Sequence, residues 1–391
     1  MKHNWTYKKL GELVDVLNGY AFKSSNYVKD GIRVIRIANV QKGKIVDEAP
    51  AFYPLSAESE LTRYMLHEDD ILLSLTGNVG RVGLLPKEML PAALNQRVAC
   101  LRIKEDTLMF KFLYQFLNSD YFEQKCIESS RGIAQLNMST EWLKDYLIPI
   151  PSLDEQQAIV RELDGINHLI DLQEEQLREY DRLAQSLFYT TFGDPITNPK
   201  GWEVKLIGEI GNVERGAGIS KKDFVPDGSP CIHYGQLHTV FGPYTTRHIS
   251  CIPDDLIAKP RIAHPNDVVM AITSEDVEGS CKSTAWMGDY DIIVGSDAAI
   301  LHHSQNGVYV SYYTQTMAFY IEKEKYANGF KVTHISAKDI ESIPIMCPPL
   351  ALQQTFAAQI EAIEQQKALI RRSLDETRTL LAARMQYYFN S

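Results

Sequence analysis

The 391-residue sequence lacks several features that would assign a protein to a class directly. No apolar run approaches the ~20 residues of a membrane-spanning helix, and Met1–Trp5 carries no segment typical of a secretory signal. The six cysteines lie far apart and form no CxxC pair, which disfavours a structural zinc site and a disulfide framework. We therefore expect a reduced, cytoplasmic protein that does not associate with membranes.

Catalytic motifs are also missing. The sequence has neither the glycine-rich cofactor motif nor the Asn/Asp-Pro-Pro-aromatic motif that an adenine methyltransferase needs. The segment Thr76-Gly77-Asn78-Val79-Gly80 lacks the Gly-Lys-Ser/Thr of a phosphate-binding loop. His302 and His303 are adjacent but have no partner ligands at a fixed spacing, which favours surface histidines over a metal site. We expect no catalytic residue, metal or cofactor in this chain.

The net charge of −10 disfavours DNA binding at first sight, because neutralising phosphates requires lysine and arginine. The charge is unevenly distributed. Residues 1–150 hold 19 basic and 18 acidic residues, residues 151–193 hold 3 and 9, and residues 195–347 hold 13 and 18. A DNA-binding role would require the basic residues of the last region to lie on one face. It would also favour a basic partner that supplies further phosphate contacts.

An internal repeat becomes visible when the sequence is shifted by 197 residues. Six of the fifteen positions 5–19 then match, and so do four of the seven positions 151–157. The first cluster aligns Trp5, Lys8, Gly11, Glu12, Val16 and Gly19 with Trp202, Lys205, Gly208, Glu209, Val213 and Gly216. Such dense clusters at one offset indicate a duplicated unit. The segment 195–201, with two prolines and a glycine, is predicted to be a linker between the copies.

Each copy ends in a predicted helix of about 35 residues, or roughly 52 Å. Ser152 and Glu155 form a capping box at the start of the first of these helices. Apolar residues then recur at spacings of three and four, at Ile159, Leu163, Ile166, Ile170, Leu177, Tyr180, Ala184 and Leu187, and at Phe356, Ile360, Ile363, Ile370, Leu374 and Leu381. A stripe this long and narrow favours a helical partner, and the other copy's helix is the obvious one. Either orientation could close the pair, and we predict an antiparallel coiled coil, which would place one globular domain at each end. The alternative is that each helix lies on its own domain.

The remaining segments favour an α+β class. Ile32–Ile37 alternates with period two, as a half-buried strand does, and Asp69–Asn78 is an apolar strand that runs into a glycine turn. Phe110–Phe122 and Val310–Lys325 are predicted to be helical. We therefore predict two domains with curved, mostly antiparallel sheets, at residues 1–150 and 202–347. Helical regions at 151–194 and 348–391 follow them and complete a pseudo-twofold repeat.

Several segments resemble a known family. They are Trp5 with Lys9-Leu10-Gly11-Glu12-Leu13, the segment 70–77, the Gly-x6-Ser loop 132–139, the run 148–159 and the tail 187–195. Together they resemble the specificity subunits of type I restriction–modification systems, over nearly the whole chain. The run 148–159, Ile-Pro-Ile-Pro-Ser-Leu-x-Glu-Gln-Gln-x-Ile, is the most specific.

The resemblance implies a non-catalytic DNA-binding subunit with two target recognition domains. Each domain would recognise one half of a split double-stranded DNA sequence, and the helices would set the spacer. Two modification subunits, which use S-adenosylmethionine, and motor-nuclease restriction subunits are the implied partners. The alternatives are a coiled-coil scaffold without a nucleic-acid role and a recognition fragment of a fused restriction–methyltransferase enzyme.

Candidate DNA contacts are polar residues on loops at strand ends, because such side chains pair with base edges and phosphates. In the first copy they are Lys23, Arg36, Asn39, Asn78, Arg81, Gln135 and Asn137. In the second copy they are Lys221, Lys222, His233, Gln236, His238, Ser274, Lys331, Thr333 and His334. The turn glycines Gly19, Gly77 and Gly216 are predicted to be structural.

Overall fold

A computed structural model describes residues 5–130, 136–327 and 333–390. Its contacts divide the chain into two units, of which the first comprises residues 1–174 and 372–391 and the second comprises residues 175–371. Among the helices within the described ranges, none has the length and apolar character needed to cross a bilayer.

The first unit is an α+β structure in which most strand pairs are antiparallel. Its strands are β1 Thr6–Lys9, β2 Val14–Asn18, β3 Ile32–Ile35, β4 Val40–Gln41, β5 Lys44–Ile45, β6 Phe52–Tyr53, β7 Ile71–Ser74, β8 Val82–Leu84, β9 Ala92–Leu94, β10 Val98–Ile103 and β11 Leu147–Ile150. Its short helices are α1 Leu10–Leu13, α2 Glu58–Leu61, α3 Phe110–Leu117, α4 Asp120–Ser129 and α5 Thr140–Asp145. The main sheet has the order β2-β10-β7-β8, and a second has the order β6-β3-β9.

The second unit repeats this plan with longer connections. Its strands are β12 Val204–Leu206, β13 Gly211–Arg215, β14 Ser229–Ile232, β15 Tyr244–Thr245, β16 Ser250–Ile252, β17 Ile262–Ala263, β18 Val268–Ala271, β19 Thr273–Ser274, β20 Ser283–Trp286, β21 Ile292–Val294, β22 Ala298–His303, β23 Thr333–His334 and β24 Pro344–Met346. Its short helices are α7 Ile207–Ile210, α8 Tyr234–Thr239, α9 Gly307–Tyr313, α10 Met317–Glu324 and α11 Ala337–Glu341. The main sheet has the order β13-β22-β18-β20-β15, and the second has the order β16-β14-β21-β17.

Strand register shows which residues of the two units are equivalent. Leu101 lies opposite Val16 in the first unit, and Leu301 lies opposite Val213 in the second. Val16 and Val213 are 197 residues apart and match in the sequence repeat. The fold therefore confirms the α+β class and the internal repeat. It also makes the residues after Leu101 the counterparts of the residues after Leu301.

The predicted strands and helices are present but shorter than the sequence indicated. The buried strand predicted at Asp69–Asn78 is β7, of four residues, and the helix predicted at Phe110–Phe122 is two helices, α3 and α4. The break has a local cause, since the Ser119 hydroxyl accepts a hydrogen bond from the Phe122 amide and begins a new helix. Gly19 and Gly216 are structural, as predicted, because a Cβ at either would lie 2.2 or 2.1 Å from backbone atoms.

The two long helices are α6, Leu153–Phe192, and α12, Leu350–Phe389. Each has 40 residues, about five more than the sequence prediction. The predicted capping box is present at the start of α6, where the Glu155 carboxylate accepts from the Ser152 amide at 3.0 Å and the Ser152 hydroxyl accepts from the Glu155 amide at 3.4 Å.

A buried glutamine marks the first turn of each long helix. Gln156 accepts from the Met109 amide at 2.8 Å and donates to the carbonyls of Thr107 and Pro151. In the second unit Gln353 makes the corresponding contacts, accepting from the Asn306 amide at 2.9 Å and donating to the Pro348 carbonyl. Both are fully buried. The glutamines that match in the sequence repeat therefore join helix to domain.

The helices pair antiparallel within each unit. In the first unit, Glu162 of α6 bonds Arg384 of α12, and Gln173 of α6 bonds Ser373 of α12 at 2.8 Å. Later residues of α6 therefore contact earlier residues of α12, as in an antiparallel pair. In the second unit Asp181 pairs with Lys367 at 2.6 Å. The predicted antiparallel arrangement is confirmed.

The predicted stripe packs on more than the partner helix. The buried members are Ile159, Leu163, Ile166, Ala184, Phe356, Ile360, Ile363 and Leu374, whereas Ile170, Leu177, Tyr180, Leu187, Ile370 and Leu381 are half-buried. Ile159 and Leu163 belong to the core of the first unit, and Phe356, Ile360 and Ile363 belong to that of the second. Both predicted arrangements, a coiled coil and packing of each helix on a globular domain, are thus partly right, because the ends of the stripe pack into the globular cores.

Aromatic side chains that are not part of the predicted stripe anchor the helix ends. Phe389 of α12 contacts Phe112 and Phe116 in the first unit, with ring centroids 5.7 and 5.4 Å apart. In the second unit Phe192 of α6 lies 4.7 Å from the Tyr309 ring. Each ring buries a large apolar area, so each helix pair is fixed to the core of its unit.

The segment 195–201 has neither helix nor strand, as its prolines predicted. It is nevertheless held by hydrogen bonds. The Lys200 ammonium donates to the Thr190 and Thr191 carbonyls at 2.9 and 2.7 Å, which satisfies the last turn of α6. The Trp202 indole donates to the Phe192 carbonyl at 2.8 Å.

Candidate nucleic-acid interface

The second unit contains a groove of about 1290 Å³ bounded by polar loops. Its walls are the segment around Lys221, the start of α8, the loop that follows β18 and the junction of α9 and α10. Of the residues selected from the sequence, Lys221, His238 and Ser274 line it. The fold therefore brings together residues that lie up to 53 positions apart.

Hydrogen bonds fix the polar wall of this groove. The His238 ring lies 3.2 Å from the Thr273 carbonyl through Nε2, and the Thr273 hydroxyl lies 3.0 Å from Nδ1 of His334. Strands β19 and β23 place Thr273 opposite His334 and Ser274 opposite Thr333. Thr333 is buried and His334 is exposed, so of these two only the histidine ring can meet a ligand without rearrangement.

Two of the selected residues are internal supports. Gln236 accepts from the His233 amide at 2.9 Å and also bonds Ser250, while Nδ1 of His233 accepts from the Gly235 amide at 3.1 Å. Both side chains are buried. Burial, with a smaller effect of Lys221, lowers the pKa of His233 below its ordinary value. These side chains shape the first turn of α8.

The charges around the groove are mixed. The Lys282 ammonium donates to the His238 carbonyl at 2.9 Å, and Lys221 is exposed. Against them stand three carboxylates, of Glu275, Asp276 and Glu278. The basic residues of this unit are thus not concentrated in the groove. Carboxylates can accept from the amino group of cytosine, so this lining suits base recognition better than phosphate binding.

In the first unit a smaller groove of about 310 Å³ lies at the corresponding end of the sheet. Arg36 lines it, together with Asn95, Gln96 and Arg97 from the turn between β9 and β10. The Arg36 guanidinium donates to the Ala49 carbonyl. Gln96 and Arg97 are exposed.

The other candidate DNA contacts of the first unit differ in exposure and in the bonds that they form. Lys23, Asn78 and Asn137 are exposed, and Asn137 forms a backbone bridge with Thr76. The Arg81 guanidinium bonds Gln41.

Asn39 is buried and accepts from the Arg36 amide at 2.9 Å while donating to the Val46 carbonyl at 2.8 Å. Both polar atoms of its side chain are therefore bonded to the backbone of its own unit.

Of the three remaining candidate DNA contacts, the structure describes one. Lys222 is exposed beside Lys221. Gln135 and Lys331 lie outside the residues that the structure describes.

Sequence reasoning missed Arg97 in the first unit and Lys282 with the carboxylates of residues 275–278 in the second. Each lies in a polar turn at a strand end. That signal was available, since the turn Asn95-Gln96-Arg97 is polar and stands between two apolar strands.

The sequence matches a family model described as the type I restriction modification DNA specificity domain twice, at residues 2–180 and 199–377. It is 30% identical over 188 residues to the type I restriction enzyme MjaVIII specificity subunit of Methanocaldococcus jannaschii, covering 47% of this chain and 44% of that protein. It is 32% identical over 170 residues to the EcoAI specificity subunit of Escherichia coli, covering 42% of this chain and 29% of that protein. The chain thus spans less than half the length of each of these relatives.

Two solved structures share the fold over almost the whole chain. One is the S subunit of a type I restriction–modification system from M. genitalium, with a TM-score of 0.52, 15% identity, and coverage of 98% of this chain and 96% of that one. The other, from a study of assembly and conformational transition of the type I R-M system, has a TM-score of 0.58, 21% identity, and coverage of 98% and 97%.

Proposed function

The chain belongs to the type I restriction modification DNA specificity family, and on that premise we propose that it is the non-catalytic subunit that selects the DNA sequence. Each unit recognises one half of a bipartite double-stranded target. The helices set the length of the unread spacer and hold two modification subunits. The modification subunits bind S-adenosylmethionine and carry out methylation, and restriction subunits join the same complex.

The observation that carries this proposal is the duplication of one design. Each unit has a mostly antiparallel sheet whose loops form a polar groove and one half of an antiparallel helix pair. A protein that recognises two half-sites needs two such surfaces and a fixed connection between them. The different linings favour two different half-sequences, because the second groove carries carboxylates and the first carries Arg36 and Arg97.

A domain exchange tests this division of labour. Residues 1–150 are replaced by the corresponding segment of a family member with a known target, and the methylated sites are profiled in cells that contain the modification subunits. We expect one half-site to change while the other half-site and the spacer stay the same. Changes in both half-sites would refute independent recognition.

The spacer role rests on the helices. Each has 40 residues, or about 60 Å at 1.5 Å per residue. Inserting one heptad in α6 and one in α12 should lengthen the spacer and leave both half-sites unchanged. A spacer of unchanged length would remove the helices from this role.

The docking role rests on exposed leucines that recur in the repeat. Leu172 and Leu380 lie in the first unit and are 52% and 49% exposed, while Leu183 and Leu369 lie in the second and are 51% and 63% exposed. Position 172 matches 369, and 183 matches 380, at the offset of 197. Because each leucine is already about half covered, burying the rest can contribute roughly 1 kcal/mol to binding. Two equivalent apolar patches suit two copies of one partner.

Native mass spectrometry of the reconstituted complex tests the docking sites. The double variant Leu172→Glu/Leu380→Glu should retain one modification subunit. Adding Leu183→Glu/Leu369→Glu should leave none. The variant Gln176→Glu, at an exposed polar position of α6, is the control and should retain two. A full complement in the quadruple variant would place the docking surface elsewhere.

A further inference from the structure

The loop after β18 differs between the two units in both length and support. The register pairs Leu73 with Val82 in the first unit and Met270 with Ser283 in the second. The connection between the paired residues is four residues longer in the second unit. This longer loop, residues 272–282, brings Ser274, Glu275 and Asp276 to the groove.

A buried ammonium holds the longer loop. Lys323, in α10, is only 4% exposed. Its Nζ donates to the Glu278 carbonyl at 2.9 Å and to the Ser280 carbonyl at 2.5 Å. Removing an ammonium from water is costly unless its donors are satisfied, so the structure strongly favours loop conformations that keep both carbonyls in place. Burial also lowers the pKa of this lysine.

The first unit shows a different arrangement at the same position. Helix α4 begins after Ser119 and α10 begins after Thr316, each of which caps its helix, so the two helices align at the offset of 197. Position 126 is then the counterpart of 323, and it is Cys126, which is buried. A Cβ at Gly80 of the shorter loop would lie 2.7 Å from the Cys126 Cβ, so helix and loop pack directly. The ammonium therefore accompanies the longer loop.

The loop itself depends on further local contacts. The Gly279 amide donates to Asp276 at 2.7 Å, and the Ser280 hydroxyl donates to the Val277 carbonyl at 2.6 Å. Cys281 has a φ of 57°, a conformation that side chains rarely adopt. A residue strained in this way persists only where its surroundings fix it, and the two Lys323 bonds hold residues 278 and 280, which lie three and one positions before Cys281.

From these observations we propose that Lys323 is a positioning residue for sequence recognition by the second unit. Its ammonium fixes the loop 272–282 in the conformation that presents Ser274, Glu275 and Asp276 to DNA, and it does not contact DNA itself. The inference rests on the proposed function of the groove. It adds a determinant of base discrimination that is almost fully buried in the wall of the groove.

The test compares Lys323→Met with the control Lys325→Met in the full chain assembled with modification subunits. Lys325 is exposed in the same region and pairs with Glu322. Hydrogen exchange of the free chain is measured first. We expect the amides of the loop 272–282 to exchange at least ten-fold faster in Lys323→Met, with those of the segment 75–81 unchanged. Unchanged exchange in the loop would overturn the proposal.

Base discrimination is then measured on duplexes with single substitutions in either half-site. We expect at least a ten-fold loss of discrimination at the half-site of the second unit and none at the other. A purely structural defect would weaken binding at both half-sites equally, and a loosened loop with intact discrimination would also refute the role. If the wild-type complex discriminates at neither half-site, the proposed function itself fails, and this is known before any variant is compared.

A second variant covers the case in which Lys323→Met does not fold. A Cβ at Gly279 would lie 2.2 Å from the Ser274 hydroxyl oxygen and 3.2 Å from Oδ1 of Asp276, so Gly279→Ala displaces two of the side chains that the loop presents to the groove. It should produce the same selective loss at the second half-site. Retained discrimination in Gly279→Ala would show that the positions of these side chains do not matter for recognition, and it would overturn the proposal.

Discussion

Acidification should destabilise the second unit through His303. Nδ1 of this ring accepts a hydrogen bond from the Gln305 amide at 3.1 Å, and Nε2 is buried without a hydrogen-bond partner in the described part of the chain. A second ring proton would add charge to a desolvated site. Burial, with a smaller effect of His302, outweighs the opposing effect of the Gln305 hydrogen bond and lowers the pKa of His303 to about 4 from 6.5.

The sign and size of the effect follow from this shift. Because the folded-state pKa is lowered, the contribution of His303 to stability is complete above 6.5 and is lost as the pH falls toward 4. The stabilisation lost over the whole pH range between the two pKa values is about 3 kcal/mol, and about 2 kcal/mol of it is already lost at about pH 5.

The first unit supplies the substitution that removes this sensitivity. The strand register makes Ile103 the counterpart of His303, since Ile103 lies opposite Val14 and His303 lies opposite Gly211 at the ends of equivalent strand pairs. His303→Ile should therefore be accommodated by the same backbone. Between about pH 7 and about pH 5, the free energy of unfolding of His303→Ile should fall by about 2 kcal/mol less than that of the wild type.

Urea unfolding followed by tryptophan fluorescence measures this difference. A background with Trp5→Phe and Trp142→Phe leaves the signal to Trp202 and Trp286, which both lie in the second unit. The control is His168→Gln, at an exposed position of α6, which should keep the wild-type pH dependence. An unfolding free energy of His303→Ile that falls with acid as steeply as that of the wild type would refute the reasoning.

Three further substitutions test the packing of the units. Asp70 accepts a bidentate pair from Arg102 at 2.7 and 2.6 Å, and Arg102 keeps its bond to the Met65 carbonyl when this pair is broken; Asp70→Asn should therefore lower the unfolding free energy by about 2 kcal/mol through the loss of one charged hydrogen bond, and a loss below about 0.5 kcal/mol in urea melts would count against this. Gln156→Leu should cost about 2 to 3 kcal/mol, because a buried amide and carbonyls lose their partners, whereas a neutral calorimetric result would show that this joint is dispensable. Lys367→Ile, which installs the residue of position 170, should change stability by less than about 1 kcal/mol, because desolvation of the buried ammonium offsets its ion pairs with Asp181 and Glu364, and the carboxylates left behind stay compensated, Asp181 by solvent and Glu364 by Arg371; a larger loss would make these pairs net contributors.

The sequence predicted those features that depend on local or periodic patterns. The capping box of Ser152 and Glu155, the pairing of the two long helices and the turn roles of Gly19 and Gly216 follow from spacing and residue type, whereas spacing alone left the direction of the helix pair open. Helix lengths and strand ends were less accurate, since ends depend on single capping contacts such as that of Ser119.

The candidate site was harder to predict because residue type does not reveal burial. Asn39, His233 and Gln236 stand at strand ends as expected, yet each side chain turns inward and bonds backbone or another side chain. Lys323 was not selected because its ammonium contacts a loop more than 40 positions away in the chain. The aromatic anchors Phe192 and Phe389 were likewise hidden, since the stripe pattern did not specify which globular core they enter.

The most direct test of the central claim is selection of methylated duplexes from a random pool by the chain assembled with its modification subunits. Two conserved blocks separated by a spacer of constant length are expected, one block for each unit. A single conserved block, or methylation without sequence preference, would contradict the proposal that the two units recognise the two halves of one target.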